Sequence, residues 1–570
     1  MITSGIPVCP GKVLCKTHLL NPIPHFDLEK KCSCDVSTTK KEVRQAIAEI
    51  VRQLEQVAQS LSMQEAELVE VQQTMLEETC FLEEIDLYIS QGYSAEASVL
   101  RAARTQENLL RELEDEYLSA RAEDMHDASH RVACLLTGAS FPDLSHLNEP
   151  VIVVAEELLP SMLMSANLKN ICGIIIQNGT RTSHVSILAS SLDIPTLVGC
   201  ADAMKLPYDK VIFLDSESGK VFYELDDYSS QQQQAAAYFE EKQRLKDYCH
   251  MPADTADGKK MVVVANIVEP LVLKKVKEQG MAGVGLFRTE FLYMNRTAPP
   301  DEEEQYQIYH LAAQTLEDKV LTIRTMDIGG DKEVDYLQLP KEENPFMGFR
   351  AIRICLNRSE LFKTQLRAIL RASTKGNIRI MFPMIATMDE LNQALELLEQ
   401  CRQELRKEKV AFDENLPVGI MVEIPSAVVM LDKMADKIQF VSIGSNDLVQ
   451  YTYAADRLNK SVEYLYNFMD PAVLRLIAYT IRTCKEAGIE CSLCGEMAGD
   501  AMGLAALVAL GLTKFSVSPS LGLITKKRIT LLNYGTLGAA GKQMLNCDTA
   551  VQAVAVLRQA LPEEYPVPLK

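Results

Sequence analysis

The second half of the chain carries the pattern that most restricts the fold. Beyond Asp257-Gly258, eight short β-runs occur at 261–266, 283–287, 320–324, 378–382, 418–422, 438–443, 490–494 and 514–517. Helical patterns separate most of them. Eight strands with intervening helices over about 310 residues predict a (β/α)8 barrel, which takes at least about 200 residues. A doubly wound open sheet is the alternative, and the strand count favours the barrel.

The first half reads differently. Residues 1–22 are short, Pro- and Gly-punctuated pieces. From about Thr38, Ile47, Ile50, Leu54, Val57 and Leu61 recur at spacings of three and four among polar residues, and similar stretches continue to about Leu136. This periodicity predicts long amphipathic helices. Residues 33–143 hold 9 Lys and Arg against 22 Asp and Glu, a net charge of −13 out of −20 for the whole chain. Such a surface is either a solvated bundle face or a docking surface for a basic partner. Short apolar runs at 151–155, 173–176, 194–199 and 211–214, alternating with helical segments, then predict a compact α/β unit. Residues 228–249 read as a polar connecting helix, a semi-rigid spacer.

Polar residues gather at the C-terminal ends of the barrel strands, where barrels build their sites. They occur in Gly285-Leu-Phe-Arg288-Thr-Glu290, Arg324-Thr-Met-Asp327, Met421-Val-Glu423, Gly444-Ser-Asn446-Asp447 and Cys494-Gly-Glu496. Arg288 and Arg324 are either ordinary ion-pair partners or bidentate clamps on phosphate or carboxylate. Glu423 and Asp447 are either structural acids or ligands of a hard cation, Mg2+ in preference to zinc because the donors are oxygen. Together these are the parts that phosphoryl transfer requires. Cys491 and Cys494 have no second cysteine or histidine pair to complete a zinc site. Cys491 is expected to pack, and Cys494 to donate a proton near a carbanion-like intermediate. His184 follows Gly179-Thr-Arg-Thr-Ser and opens an apolar helix. A phosphoryl group on its imidazole would meet backbone N–H donors and the helix dipole there.

Composition excludes other classes. Lys and Arg number 58 against 78 Asp and Glu, which argues against nucleic-acid binding or a polybasic membrane surface. The longest near-apolar run, 501–512, is too short to span a bilayer. The start of the chain lacks a signal-peptide pattern. Fifteen scattered cysteines form no evident disulfide framework. The expectation is a cytoplasmic protein.

The chain closely resembles Enzyme I of the bacterial sugar phosphotransferase system, the phosphoenolpyruvate–protein phosphotransferase family. The resemblance is strongest in Gly283-Val-Gly-Leu-Phe-Arg-Thr-Glu-Phe-Leu, Arg324-Thr-Met-Asp-Ile-Gly-Gly-Asp-Lys-Glu and Lys341-Glu-Glu-Asn-Pro-Phe-Met-Gly-Phe-Arg. Ser442-Ile-Gly-Ser-Asn-Asp-Leu-Val-Gln-Tyr-Thr and Cys494-Gly-Glu-Met-Ala-Gly-Asp complete it. It implies phosphoenolpyruvate in the barrel mouth, held by Arg288, Arg324 and Arg457, with Arg350 close to the pocket. Asn446 and Asp447 would help place the phosphate, and Glu423 and Asp447 would hold Mg2+. Cys494 would protonate the enolate to give pyruvate. His184 would take the phosphoryl group and pass it to a histidine of the phosphocarrier protein HPr. The resemblance also implies a homodimer formed through the barrel. It implies a phosphohistidine domain of 1–22 plus 144–227, an inserted helical HPr-docking domain of 23–143, a linker helix of 228–256 and a barrel domain of 257–570.

Three positions depart from the family pattern. Thr180 stands where the family has glycine, and Leu163 where it has a threonine that hydrogen-bonds the active imidazole. Gln72 stands where it has a histidine on the docking helices. Thr182 or Ser183 would be substitutes for the missing hydroxyl. Two other readings follow: a non-catalytic regulatory relative, or an enzyme of the pyruvate phosphate dikinase type. The second needs a nucleotide-binding domain, and no Gly-rich nucleotide loop is evident.

Overall fold

The computed structural model describes all residues outside 59–71, 113–115, 165, 181–182, 295, 297, 331, 333, 458 and 567–570. The side chains at 56–58, 111–112, 116–121, 123, 160, 164, 184, 187, 191, 271 and 335 also lie outside the description. The chain divides into two compact units, 1–242 and 243–570.

The first unit is built on an eight-stranded sheet: β1 (Ile2–Ser4), β2 (Ile6–Cys9), β3 (Lys12–Leu19), β4 (Val151–Ala155), β5 (Ile171–Ile176), β6 (Thr196–Val198), β7 (Val211–Asp215) and β8 (Lys220–Phe222). Their order in space is β1-β8-β7-β3-β4-β5-β6-β2. The central pairs β3/β4, β4/β5 and β5/β6 are parallel, and the outer pairs are antiparallel. β4 shows why its sequence is continuously apolar. Val151, Val153 and Ala155 enter the core on one face, and Ile152 and Val154 the core on the other. Residues 1–22 thus form three strands where the Pro- and Gly-punctuated sequence suggests irregular pieces. β1 and β2 are only 3 and 4 residues long, and β2 contains Pro7.

Between β3 and β4 the chain makes the helices Val36–Ala58, Thr79–Ser90, Ala95–Glu112 and Glu116–Thr137. Ile47, Ile50 and Leu54 form the buried stripe that their spacing predicts, meeting Phe81, Ile85, Met125 and Val132. The Val57 side chain and Leu61 lie outside the described residues. The polar helix Ser229–Asp247 buries no side chain and ends earlier than the sequence reading placed it. Cys32 and Cys34 are bonded to each other and thirteen cysteines are free, so no disulfide framework holds the fold. Among the described residues, no helix is long and apolar enough to cross a membrane.

The second unit is a closed parallel barrel of β9 (Val262–Ile267), β10 (Gly283–Phe287), β11 (Val320–Arg324), β12 (Ile378–Phe382), β13 (Val418–Val422), β14 (Phe440–Ile443), β15 (Glu490–Leu493) and β16 (Lys514–Val517). Every expected strand is present, displaced by two residues at most. At the strands' N-terminal ends, Glu490 pairs with Arg379 at 2.6 Å and Lys514 at 2.8 Å, one carboxylate between two cations. Higher up, Leu286, Met381, Met421, Phe440 and Cys494 form a separate apolar cluster. These layers fill the interior, so chemistry is confined to the C-terminal mouth.

Lys526, which is buried, secures the approach to β9 and β10. Its ammonium donates to the carbonyls of Tyr248, Cys249, Gln279 and Gly280 at 2.7–3.2 Å. Gly280 is required at this junction: its φ is +58°, and a Cβ would sit 1.8 Å from the Cys249 carbonyl oxygen. Lys526→Met keeps the length of the side chain and leaves four carbonyls without their cationic donor. The expected loss is about 2–3 kcal/mol, read as a lower urea midpoint at unchanged slope. A midpoint equal to that of the parent chain rejects this role.

Candidate functional site

Five of the eight barrel strands, β10, β11, β13, β14 and β15, deliver the site's side chains at their C-terminal ends. Arg324 is the last residue of β11 and is buried. Its guanidinium donates to Glu290 at 2.6 Å and forms an ion pair with Asp327 at 3.0 Å. Asp327 also receives Arg350 at 2.9 Å, and Arg350 reaches Asp447 at 3.4 Å. Arg457 closes the chain by pairing with Asp447 at 3.1 Å. Lys332 lies 3.8 and 3.9 Å from Glu290 and Asp327. Sequence reading gave Arg324, Arg350, Asp447 and Arg457 roles, but it assigned none to Asp327, on which both buried arginines converge. The available signal was the three-residue step from Arg324 to Asp327.

The network fixes protonation as well as position. Burial raises the Asp327 carboxyl, yet Arg324 and Arg350 together hold it well below the usual carboxylate range. Both arginines keep a buried Nε with no partner among the described residues. Buried N–H groups left unpaired are costly, and an anion seated in the mouth is the partner that would satisfy them. Arg288 follows β10 and is exposed, with no ion pair among the described residues.

Glu423 follows β13 and is buried; its Oε1 accepts from the Met384 backbone N–H at 2.6 Å. A glycine stands beside it for a steric reason, because a Cβ on Gly444 would lie 2.8 Å from Glu423 Oε2. Burial and the charges of Asp447 and Asp327 push the Glu423 carboxyl up to about 8. Two buried carboxylates that repel each other, offering only oxygen, fit a hard divalent cation. Among the described residues no set of three acidic, histidine or cysteine side chains forms a metal cage. Magnesium suits such a site because it takes one or two carboxylates and completes its shell with substrate phosphate and water.

Asn446 exchanges two hydrogen bonds of 3.0 Å with Glu496, one to its carboxylate and one from its backbone N–H. Cys494 is buried at the end of β15, on the apolar layer. Burial raises its thiol pKa, while Arg324 and Arg288 are close enough to oppose the shift. The thiol therefore keeps its proton at neutral pH. Cys491 is half-buried and packs against the barrel core, as expected.

In the first unit, His184 begins the helix His184–Ser191, and its side chain lies outside the described residues, as do Arg181 and Thr182. Ser183 caps that helix by accepting from Ser186 N–H. The hydroxyls of Ser183 and Ser186 both donate to the Thr180 carbonyl, at 3.2 and 2.7 Å. Thr180 is not among the residues with positive φ, so the loop does not require the family's glycine. Leu163 is fully buried in the core that also holds Val185 and Ala189. Gln72 is buried and donates to Asp127 at 3.3 Å; Asp127 in turn accepts from the Ser161 backbone and from Arg131.

Comparison with known proteins agrees with this layout. Three family profiles match in order: PEP-utilising enzyme, N-terminal, over residues 4–121; mobile domain, over 147–219; and PEP-binding domain, over 242–534. The phosphoenolpyruvate-protein phosphotransferase of Bacillus subtilis (strain 168) is 37% identical over 563 residues, covering 97% of this chain and 99% of that relative. The protein of the same name from Priestia megaterium is 38% identical over 537 residues, 93% of this chain and 94% of that relative. The one from Mycoplasma capricolum is 36% identical over 558 residues, 96% of each chain. With likeness of this extent along its whole length, the chain belongs to the phosphoenolpyruvate–protein phosphotransferase family.

Proposed function

We propose that the chain phosphorylates its own His184 from phosphoenolpyruvate and then passes the phosphoryl group to a histidine of the carrier protein HPr. The observation that carries this reading is the gathering of Arg324, Arg350, Arg457, Glu423 and Asp447 at one barrel mouth. With Glu423 ionised, as a bound cation would hold it, Arg288, Arg324, Arg350, Arg457 and Lys332 face Glu290, Asp327, Glu423 and Asp447, leaving one positive charge in excess. Phosphoenolpyruvate, with about three negative charges, brings the mouth to neutrality together with one divalent cation.

Glu423 and Asp447 would hold Mg2+, which supplies charge neutralisation at the phosphoryl oxygens. Arg288, Arg324, Arg350 and Arg457 clamp the phosphate and carboxylate, and Asn446 and Asp447 help set the phosphate. The His184 imidazole attacks phosphorus, and the P–O bond to the enol oxygen breaks with its electron pair. The resulting enolate takes the Cys494 thiol proton at carbon to give pyruvate, and solvent reprotonates the thiolate.

The roles of the segments follow the same reading. Residues 23–143, with their charge of −13, form the docking domain for HPr, inserted in the phosphohistidine domain of 1–22 and 144–227. Residues 228–256 link it to the barrel of 257–570, which forms a homodimer. The protein works in the cytoplasm on phosphoenolpyruvate and HPr, with neither nucleic acid nor membrane insertion involved. A regulatory relative without catalysis is the second reading, favoured by Leu163 in place of a hydroxyl.

Incubation with labelled phosphoenolpyruvate and Mg2+ separates the two. Acid-labile label is expected on His184, and its absence from a folded chain decides for the regulator. His184→Ala abolishes labelling, whereas Glu423→Ala loses it through the metal; full labelling of Glu423→Ala overturns the metal assignment. Cys494→Ala is expected to keep substrate binding and to slow pyruvate formation at least ~100-fold, since general-acid groups supply about 100- to 10,000-fold. Stopped-flow measurement of pyruvate reads this directly, and an unchanged rate removes Cys494 from the mechanism.

A further inference from the structure

The connection from β11 to the helix Ile352–Asn357 runs from 325 to 351, far longer than the two to six residues of an ordinary βα loop. Long loops at a barrel mouth are commonly lids. This one is partly self-supporting. Glu342 accepts from the Phe349 N–H at 2.9 and 3.1 Å, and Arg353 donates to the carbonyls of Met347 and Gly348 at 3.0 and 2.7 Å. Ties also come from other parts of the barrel: Tyr336 donates its hydroxyl proton to the Tyr293 carbonyl at 2.9 Å, and another tie reaches Phe346. Tyr451, on the helix Ser445–Tyr453 that follows β14, donates its hydroxyl proton to the Phe346 carbonyl at 2.5 Å. The Tyr451 hydroxyl oxygen in turn accepts from Arg350 Nη1 at 3.2 Å.

We propose that Tyr451 is a positioning residue that latches the 342–351 segment of this loop and, through the same hydroxyl, sets the plane of Arg350 for the phosphate. The inference rests on the reading that the mouth binds phosphoenolpyruvate. A phenol has one proton. Committing it to Phe346 turns the oxygen's lone pairs toward Arg350, so the loop carbonyl, phenol and guanidinium form one polarised chain. Arg350 Nη2 is already held by Asp327 and Asp447. Tyr451 on Nη1 supplies the third anchor, which fixes the guanidinium plane and leaves the buried Nε for an anion. The Phe346 ring lies 5.9 Å from the Arg350 guanidinium and 5.8 Å from that of Arg457, so the latched loop also bears on the second arginine. Asp447 and Tyr451 are one helical turn apart, and a single helix therefore grips Arg350 at two points.

Tyr451→Phe deletes one oxygen and keeps the ring. Calorimetry with phosphoenolpyruvate and Mg2+ is expected to give an affinity about ten-fold weaker than that of the parent chain, the scale of one hydrogen bond to a charged group. The same substitution in an Arg350→Lys background is expected to add less than about two-fold, because coupled partners are not additive. Hydrogen exchange at the amides of 347–349 is expected to quicken in Tyr451→Phe without any ligand. It is expected to slow in the parent chain when substrate is added. Unchanged affinity, full additivity or unchanged exchange in Tyr451→Phe each overturns the latch. Should the variant not fold, unchanged exchange in the parent chain on adding substrate overturns it. A parent chain that binds no phosphoenolpyruvate counts against the proposed function, while ligand-free exchange still judges the loop contact.

Discussion

The barrel mouth depends on the ion pairs that Asp327 makes with Arg324 and Arg350. All three side chains are buried, and taking such ions out of water costs several kcal/mol each. Attraction and hydrogen bonding recover that cost only while the geometry is kept, at 3.0 and 2.9 Å here. Well-packed apolar residues would stabilise the same volume at least as well, so stability does not account for the network. What the arrangement provides is guanidinium groups whose directions are settled before a ligand arrives. Preorganised charge of this kind needs no reorganisation during the reaction. Glu290 and Asp447 extend the same restraint to Lys332 and Arg457.

The barrel makes this arrangement affordable by separating functions along its axis. The Glu490, Arg379 and Lys514 cluster occupies one end, the Leu286, Met381, Met421 and Phe440 layer lies above it, and the charged mouth follows. Cys494 stands at the boundary between the last two. An apolar floor holds its thiol in the protonated form, and the nearby arginines temper that effect. A carboxyl in the same place would be left buried and charged against Glu423 and Asp327. A thiol carries its proton there without adding to the repulsion that already pushes Glu423 upward.

Much of this was legible from the chain alone, for identifiable reasons. Barrel strands are short apolar runs that end in charged residues, so both their positions and the Arg324, Glu423 and Asp447 ends could be read. Pairings could not. Nothing in the Arg324-x-x-Asp327 spacing says that Asp327 also takes Arg350, because that contact spans a long loop. Tyr451 was visible only as part of a motif, since its partners at Phe346 and Arg350 are about a hundred residues away in sequence. The opening strands escaped for a different reason. β1 and β2 are too short for a period of two to emerge, and β3 is partly exposed along most of its length. Thr180 looked like an obstacle because glycine is permissive, yet its backbone does not use that freedom.

The three positions singled out in the sequence, Gln72, Leu163 and Thr180, all fall in the first unit. Asp127 accepts from Gln72 and from the Ser161 backbone, two residues before Leu163, and Arg131 joins the same group. Gln72 keeps one buried oxygen without a partner among the described residues. Leu163 lies fully in the apolar core, where a threonine hydroxyl would need a partner of its own. Asp127 thereby joins the helical segment to Ser161 of the strand-and-helix layer that carries His184. The charged network of the barrel mouth belongs to the second unit. Under the proposed mechanism, variation in this chain therefore bears on the hand-over of the phosphoryl group, and the capture of phosphoenolpyruvate stays with the arginines.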